Sequence, residues 1–170
     1  FGCGVETPHF GKALLDDTQV PPDVDFMPRP ILGWFGVIDE RVDYHLIGEV
    51  ARMRPNWSIA RVGPVVKVDP NHLPHFPNLF WLGQRDYQVL PAYCKAFDVC
   101  MMPFALNKAT EFINPTKGLE YMATGRPIVG THVRDVVSQW SDIVHLTKNT
   151  PQDFVAACER ALDRNHPETL

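Results

Sequence analysis

The chain has few of the features that would let it bind a long polyanion, hold a structural metal or cross a membrane. Its 16 lysines and arginines are outnumbered by 20 aspartates and glutamates, a net charge of -4. They form no cluster, which excludes a binder of the nucleic-acid backbone and leaves any phosphate contact to a few local groups. No apolar run approaches the ~18 residues of a membrane-spanning segment. Cys3, Cys94, Cys100 and Cys158 show neither the paired spacing of a zinc site nor the density of a secreted disulfide scaffold, so buried thiols in a reducing compartment are expected. His72 and His75 come nearest to a metal pair, but Pro74 between them opposes a helix and no third ligand is close. No Asp-x-Asp pair stands on a strand-end loop, so no metal and no other cofactor is expected. Repeats and low-complexity tracts are absent, and Phe1-Gly-Cys-Gly does not read as a signal peptide.

What is present is a core. With 45% hydrophobic and 21% charged residues among 170, the chain is of a size and composition to fold as one domain. Pro21, Pro22, Pro28 and Pro30 make residues 1–30 an irregular lead-in with at most one short helix near 11–16. From 31 to 170 apolar runs of strand length alternate with helical patterns. Strands are expected at 31–38, 57–63, 78–83, 98–104, 128–130 and 143–147, and helices at 43–54 behind an Asp43 cap, 88–97, from 114, and 151–163 behind Thr150. Single helices between strands that are apolar on both faces predict an α/β fold: a doubly wound, Rossmann-like parallel sheet of about six strands with helices on both faces. Ligands of such sheets lie beyond the carboxyl ends of the strands. The loops 36–43, 83–87 and 105–116 open there.

The stretch from Asn114 to Val129 says most about chemistry. Asn114 is a suitable N-cap, Pro115 fits the first helical turn, Gly125 suits a left-handed C′ position and Pro127 prevents continuation. Unpaired N–H groups and Lys117 at the start of this helix suit phosphate, and the Glu120 carboxylate one turn further can accept from two neighbouring sugar hydroxyls. Diphosphate plus ribose indicates a nucleotide. The same two residues, three apart, also read as an ordinary helical ion pair. In the loop after the first strand, Gly36 allows close approach of a ligand to the backbone and Arg41 adds a cation. It is not a GxGxxG motif.

From Ile31 onward these residues resemble the nucleotide-sugar-dependent glycosyltransferases of the GT-B fold, within them the group-one family of retaining enzymes. The likeness rests on Pro115 to Val129, on Gly36 with Arg41, on Asn78 to Gly83 before the helix at 87–97, and on Asp98 to Pro103. Gly4 to Phe10 is similar to the hinge-side segment where such enzymes enter their C-terminal domain. The resemblance implies a C-terminal donor-binding domain, inactive alone, and the start without methionine agrees with an excised domain. It implies that Glu120 takes the ribose hydroxyls, and that Arg41 and Lys117, the candidate catalytic pair, take the diphosphate with Thr116 and its neighbouring backbone N–H groups. Gln84, Tyr87 and Leu90 would hold the base.

There is one departure. Many members carry a second glutamate eight positions before the ribose glutamate, near the transferred sugar, and here that position is Phe112 with Glu111 the nearest acid. Asn107, Thr110 and Asn114 are the polar groups available for that contact. The implied partners are a nucleotide sugar and, through a further N-terminal domain, an acceptor glycan or lipid, in the cytoplasm or at the membrane periphery. Two rivals stay open: a nucleotide-sugar epimerase of the same fold, and a doubly wound nucleotide-binding module without catalysis.

Overall fold

Six strands, Ile31–Phe35 (β1), Ser58–Val62 (β2), Leu79–Gly83 (β3), Val99–Met102 (β4), Ile128–Thr131 (β5) and His145–Thr147 (β6), form one sheet in the order β3-β2-β1-β4-β5-β6. Every neighbouring pair is parallel. The computed structural model describes residues 6–108, 110, 117–132, 143–147 and 150–163. Its helices are Thr7–Phe10 (α1), Pro22–Asp25 (α2), Tyr44–Met53 (α3), Leu90–Ala96 (α4), Lys117–Ala123 (α5) and Pro151–Leu162 (α6).

The central strands are buried on both faces because helices cover both. Alternation then separates two cores. Phe35, Ala60, Val62, Cys100 and Met102 point toward α4 and α5, where Cys94, Phe97 and Tyr121 meet them. Leu32, Trp34, Ile59, Met101 and Val129 point the other way, onto Leu46, Ile47 and Val50 of α3 and Phe154, Ala157 and Cys158 of α6. Burying each large apolar side chain contributes roughly 1.5–3 kcal/mol relative to exposure, so these two layers supply the main driving force.

Local chemistry sets the element ends. Asp43 caps α3 by accepting from the Leu46 N–H at 2.9 Å, and Thr150 caps α6 by accepting from the Asp153 N–H at 3.2 Å. Gly125 closes α5 with a φ of 70°. The first strand stops at Phe35, short of the expected Ile38, because Gly36 takes a φ of 135° and turns the chain; Ile38 rejoins only as a single bridge to Val65. The fourth helix is likewise shorter than expected. It starts as a 3-10 turn over Tyr87–Val89, and α geometry begins at Leu90 with Pro91 in the first turn.

The lead-in is more ordered than its prolines suggest, with α1, a 3-10 turn at Gly11–Leu14, and α2. Phe10, Ala13, Val24 and Met27 enter the same core as Phe35 and Phe97. Arg85 ties α2 to the end of β3: it pairs with Asp23 at 2.8 Å and donates to the Tyr93 hydroxyl and the Leu82 carbonyl.

Candidate functional site

The connections from β1 and β4 lead away in opposite directions, so a crevice opens between their carboxyl ends. The two loops beyond those ends are joined. The Asp43 N–H donates to the Pro103 carbonyl at 2.9 Å, the Ala105 N–H to Arg41 at 2.8 Å, and the Asn107 side-chain amide to the Glu40 carbonyl at 3.1 Å. Val42 and Phe104 add an antiparallel bridge.

Helix α5 reaches this edge from the Phe35 side. The Lys117 ammonium lies 4.5 Å from the centroid of the Phe35 ring and 3.1 Å from Glu120 Oε2. A β-carbon at Gly36 would stand 3.1 Å from Lys117 Cε, so the glycine is what lets lysine and loop lie this close. Gly36, Lys117 and Glu120, expected together from the sequence, are together. Glu120 Oε2 is shut off from solvent and makes no hydrogen bond among the described residues, so its contact with Lys117 is an ion pair without hydrogen-bonding angles. The carboxylate therefore keeps accepting capacity.

Arg41 turns elsewhere. Its guanidinium and backbone N–H hold the Asp39 carboxylate at 2.7 to 3.1 Å, and no contact joins it to Lys117 among the described residues. Burial works to raise the Asp39 pKa, but the hydrogen bonds and charge of Arg41 outweigh it and hold it below the ordinary aspartate value. A carboxylate with a depressed folded pKa contributes stability that is complete above its unfolded value and lost as pH falls through the folded one. Thermal melts of Asp39→Asn should therefore lie below those of the unmodified chain at pH 7 and converge with them in acid, once pH has fallen through the depressed pKa. The difference at neutral pH is expected to be on the order of 1 kcal/mol, because the Arg41 half of the pair is open to solvent and screened. Equal gaps at neutral and acid pH would show that the pair contributes no charge-dependent stability.

The other candidates are spread along the same edge. Gln84 is exposed, and Leu90 is half-buried against the core. Tyr87 stacks on His9 with ring centroids 4.3 Å apart, and the His9 Nε2 lies 2.9 Å from the Tyr87 carbonyl. Partial burial raises the Tyr87 pKa, and the charges of Glu6 and Glu120 add to it. Thr110 is buried, and its hydroxyl is engaged within its own loop by Asn107 and Ala105. Asn114 and Thr116, with Glu111 and Phe112, lie outside the described residues.

Two residues important to the geometry carried no functional reading in the sequence. Tyr121 is fully buried and its hydroxyl accepts from the Phe35 N–H at 3.1 Å, fixing α5 to the end of β1. Arg61, on β2, is also fully buried, with its guanidinium stacked 3.5 Å from the centroid of Trp34. Trp34, Phe35 and Tyr93 are buried in the core, whereas Phe80 and Trp81 are half-buried against it. The expectation of buried thiols holds for Cys94, Cys100 and Cys158, which are free and buried, with burial raising the pKa of each, while Cys3 lies outside the described residues. Among the described residues no His, Cys, Asp and Glu group could hold a metal ion, and no helix is long and apolar enough to cross a membrane.

Known proteins share this fold. Residues 29–164 match the family model of "Glycosyl transferases group 1". The chain is 32% identical over 144 residues to the "Putative teichuronic acid biosynthesis glycosyltransferase TuaH" of Bacillus subtilis (strain 168), covering 82% of this chain and 36% of that protein. Among solved structures, "Trehalose-6-phosphate from E. coli bound with UDP-2-fluoro glucose" superposes with a TM-score of 0.64 at 13% identity, over 97% of this chain and 44% of that one. The C-terminal domain of a glycosyl transferase group 1 family protein (LpcC) from Francisella tularensis superposes with a TM-score of 0.60 at 15% identity, over 92% of this chain and 86% of that one. The six-stranded parallel sheet is thus the fold of one domain in these larger enzymes, and the chain belongs to the group 1 family of GT-B glycosyltransferases.

Proposed function

We propose that this chain is the donor-binding domain of a glycosyltransferase that moves a sugar from a nucleoside-diphosphate sugar to an acceptor. The observation that carries the reading is the meeting of Gly36, Lys117 and Glu120 beyond the carboxyl end of β1, at the crevice beside β4. A glycine-opened loop, a cation and a carboxylate with accepting capacity suit diphosphate and ribose together. The similarity to a protein described as bound with UDP-2-fluoro glucose supports the same substrate class.

In this reading Lys117 neutralises the diphosphate as it leaves. Electrostatic stabilisation of a leaving group acts most strongly where the compensating charge is already in place before reaction. The Phe35 ring and the Gly36 loop fix where the ammonium stands. Arg41, oriented by Asp39, supplies a second cation from the loop shared with β4. Tyr87, Gln84 and Leu90 line the side assigned to the base, while Asn107 and Asn114 are assigned to the sugar side. Acceptor recognition belongs to a further domain of the whole enzyme, which acts in the cytoplasm or at the membrane periphery. The isolated chain then binds nucleotide without transferring sugar.

The test is a thermal-shift and calorimetric screen of UDP, GDP, dTDP and ADP, with and without EDTA. One nucleotide should raise the melting temperature, since a ligand at a hundred times its Kd adds about 2.7 kcal/mol to stability. Chelation should leave affinity unchanged, because Arg41 and Lys117 supply the positive charge. Raised salt should weaken binding moderately, these contacts being partly exposed. A large loss of affinity with EDTA would mean that a metal ion holds the diphosphate, and no shift with any nucleotide would overturn the donor-binding reading.

A further inference from the structure

Arg61 has no role in the site as described, yet it is a fully buried cation on a central strand. Among the described residues no carboxylate pairs with it. Its guanidinium donates instead to three backbone carbonyls, those of Trp34 at 3.1 Å, Val62 and Gly36, while Nε stays without a partner. Burial pushes its pKa down to about 9, which leaves it charged at neutral pH. Burying an unpaired charge is costly, and the cost is offset here by charge-assisted bonds that converge on the end of β1.

We infer that Arg61 is a positioning residue that fixes the Gly36–Val37 peptide so that the Val37 N–H becomes a backbone donor to the donor substrate's diphosphate. This role follows from the direction of the peptide and rests on the nucleotide-sugar reading of the crevice. Arg61 stacks on Trp34, which faces the α3 side of the sheet, whereas Lys117 lies over Phe35 on the opposite face. A trans peptide points its carbonyl and its N–H in opposite directions. With the Gly36 carbonyl drawn toward Arg61, the Val37 N–H is turned to the face where Lys117 stands. Among the described residues no acceptor meets that N–H, whereas the next amide along, that of Ile38, is taken by the Pro64 carbonyl at 2.9 Å. Gly63 is part of the arrangement, since its missing side chain leaves room for the Gly36 carbonyl.

A lysine at position 61 would keep the charge but could not present the planar fork that reaches three carbonyls at once. Arg61→Lys and Arg61→Met should therefore both lose affinity for whichever of UDP, GDP, dTDP and ADP binds best, by about tenfold, as expected for one hydrogen bond to a charged group. Binding of the corresponding nucleoside without phosphates should be unchanged. In the unmodified chain the Val37 amide proton should move downfield in NMR spectra when that nucleotide is added, and in Arg61→Lys it should not. The Gly36 carbonyl carbon shift should differ between the two proteins before any ligand is added.

Wild-type affinity in Arg61→Lys would overturn the role of the fork. Nucleotide binding to the unmodified chain without movement of the Val37 amide would overturn the donor, leaving the crevice reading intact. An unchanged Gly36 carbonyl shift in Arg61→Lys would overturn the positioning itself, whether or not nucleotide binds. Failure of the unmodified chain to bind any of the four nucleotides, with the carbonyl shift altered as expected, would instead remove the crevice reading and with it the donor role of Val37. If Arg61→Met does not fold, the lysine variant alone decides.

Discussion

Gly63→Ala should be among the most damaging single substitutions in the chain. Gly63 sits just past β2 with a φ of 145°, a conformation that side-chain-bearing residues rarely adopt, and a β-carbon there would overlap the Gly36 carbonyl oxygen. Relief is difficult because the obstacle is backbone. The Gly36 carbonyl is held by Arg61, the Gly36 N–H donates to Val62 at 3.0 Å, and the Gly63 N–H donates to Gly83 at 2.8 Å. Backbone strain and overpacking each cost about 1 to 3 kcal/mol, so a loss of about 2 to 6 kcal/mol is expected. Denaturant unfolding measures it. The fraction that remains folded should also bind nucleoside diphosphate more weakly, because the loop carrying Gly36 must move. A near-wild-type midpoint with unchanged nucleotide affinity would show that the two loops are not in the close contact described.

The sheet was legible in the sequence for a physical reason. Strands covered on both faces must be apolar throughout, and runs such as Ile31–Phe35 and Val99–Met102 stand out against any solvated segment. Caps were equally legible, since Asp43, Thr150 and Gly125 act on backbone groups within three residues of themselves. What escaped depends on partners distant in the chain. Phe10 and Met27 lie in a segment whose prolines argue for irregular structure, and the core they enter, with the Arg85–Asp23 pair, gives that segment order. Arg61 reads locally as one charge in a strand, because the carbonyls of Trp34 and Gly36 that justify its burial are more than twenty residues away. The local signal was a cation flanked by Ala60 and Val62 in a strand expected to be covered on both faces.

The candidate site divides along a different line. Spacing alone indicated that Lys117 and Glu120 share one side of a helix, and a resemblance suggested what they hold. It could not indicate that Arg41 turns to Asp39 rather than to Lys117, because guanidinium direction is decided by a carboxylate two residues away in a loop of irregular backbone. Nor could it foresee that His9 stacks on Tyr87. The lead-in therefore touches a residue assigned to the base, and any movement of α1 would change what that side of the crevice presents.

Glu120→Ala should weaken nucleotide binding strongly while leaving the fold nearly as stable, with Glu120→Gln falling between the two proteins. The stability half follows from the ion pair with Lys117. Its partners are 34% and 16% exposed, the contact lacks hydrogen-bonding angles, and pairs of this kind near the surface contribute about 0 to 1 kcal/mol. Helix α5 is anchored by other means, chiefly the buried Tyr121 and its bond to the Phe35 N–H. The binding half follows from acceptance. An ionised carboxylate can accept from both ribose hydroxyls, and hydrogen bonds to a charged group contribute about 1.5 to 3 kcal/mol each. Glutamine keeps one acceptor oxygen and loses the charge, so an increase in Kd of roughly tenfold is expected for Gln and roughly a hundredfold for Ala. The ribose assignment has its own control: a 2′-deoxynucleotide should lose much less affinity on mutation than the ribonucleotide. If calorimetry gave wild-type affinity for Glu120→Ala while its melting temperature fell by many degrees, Glu120 would be a structural partner of Lys117, and the crevice between β1 and β4 would need another ribose ligand.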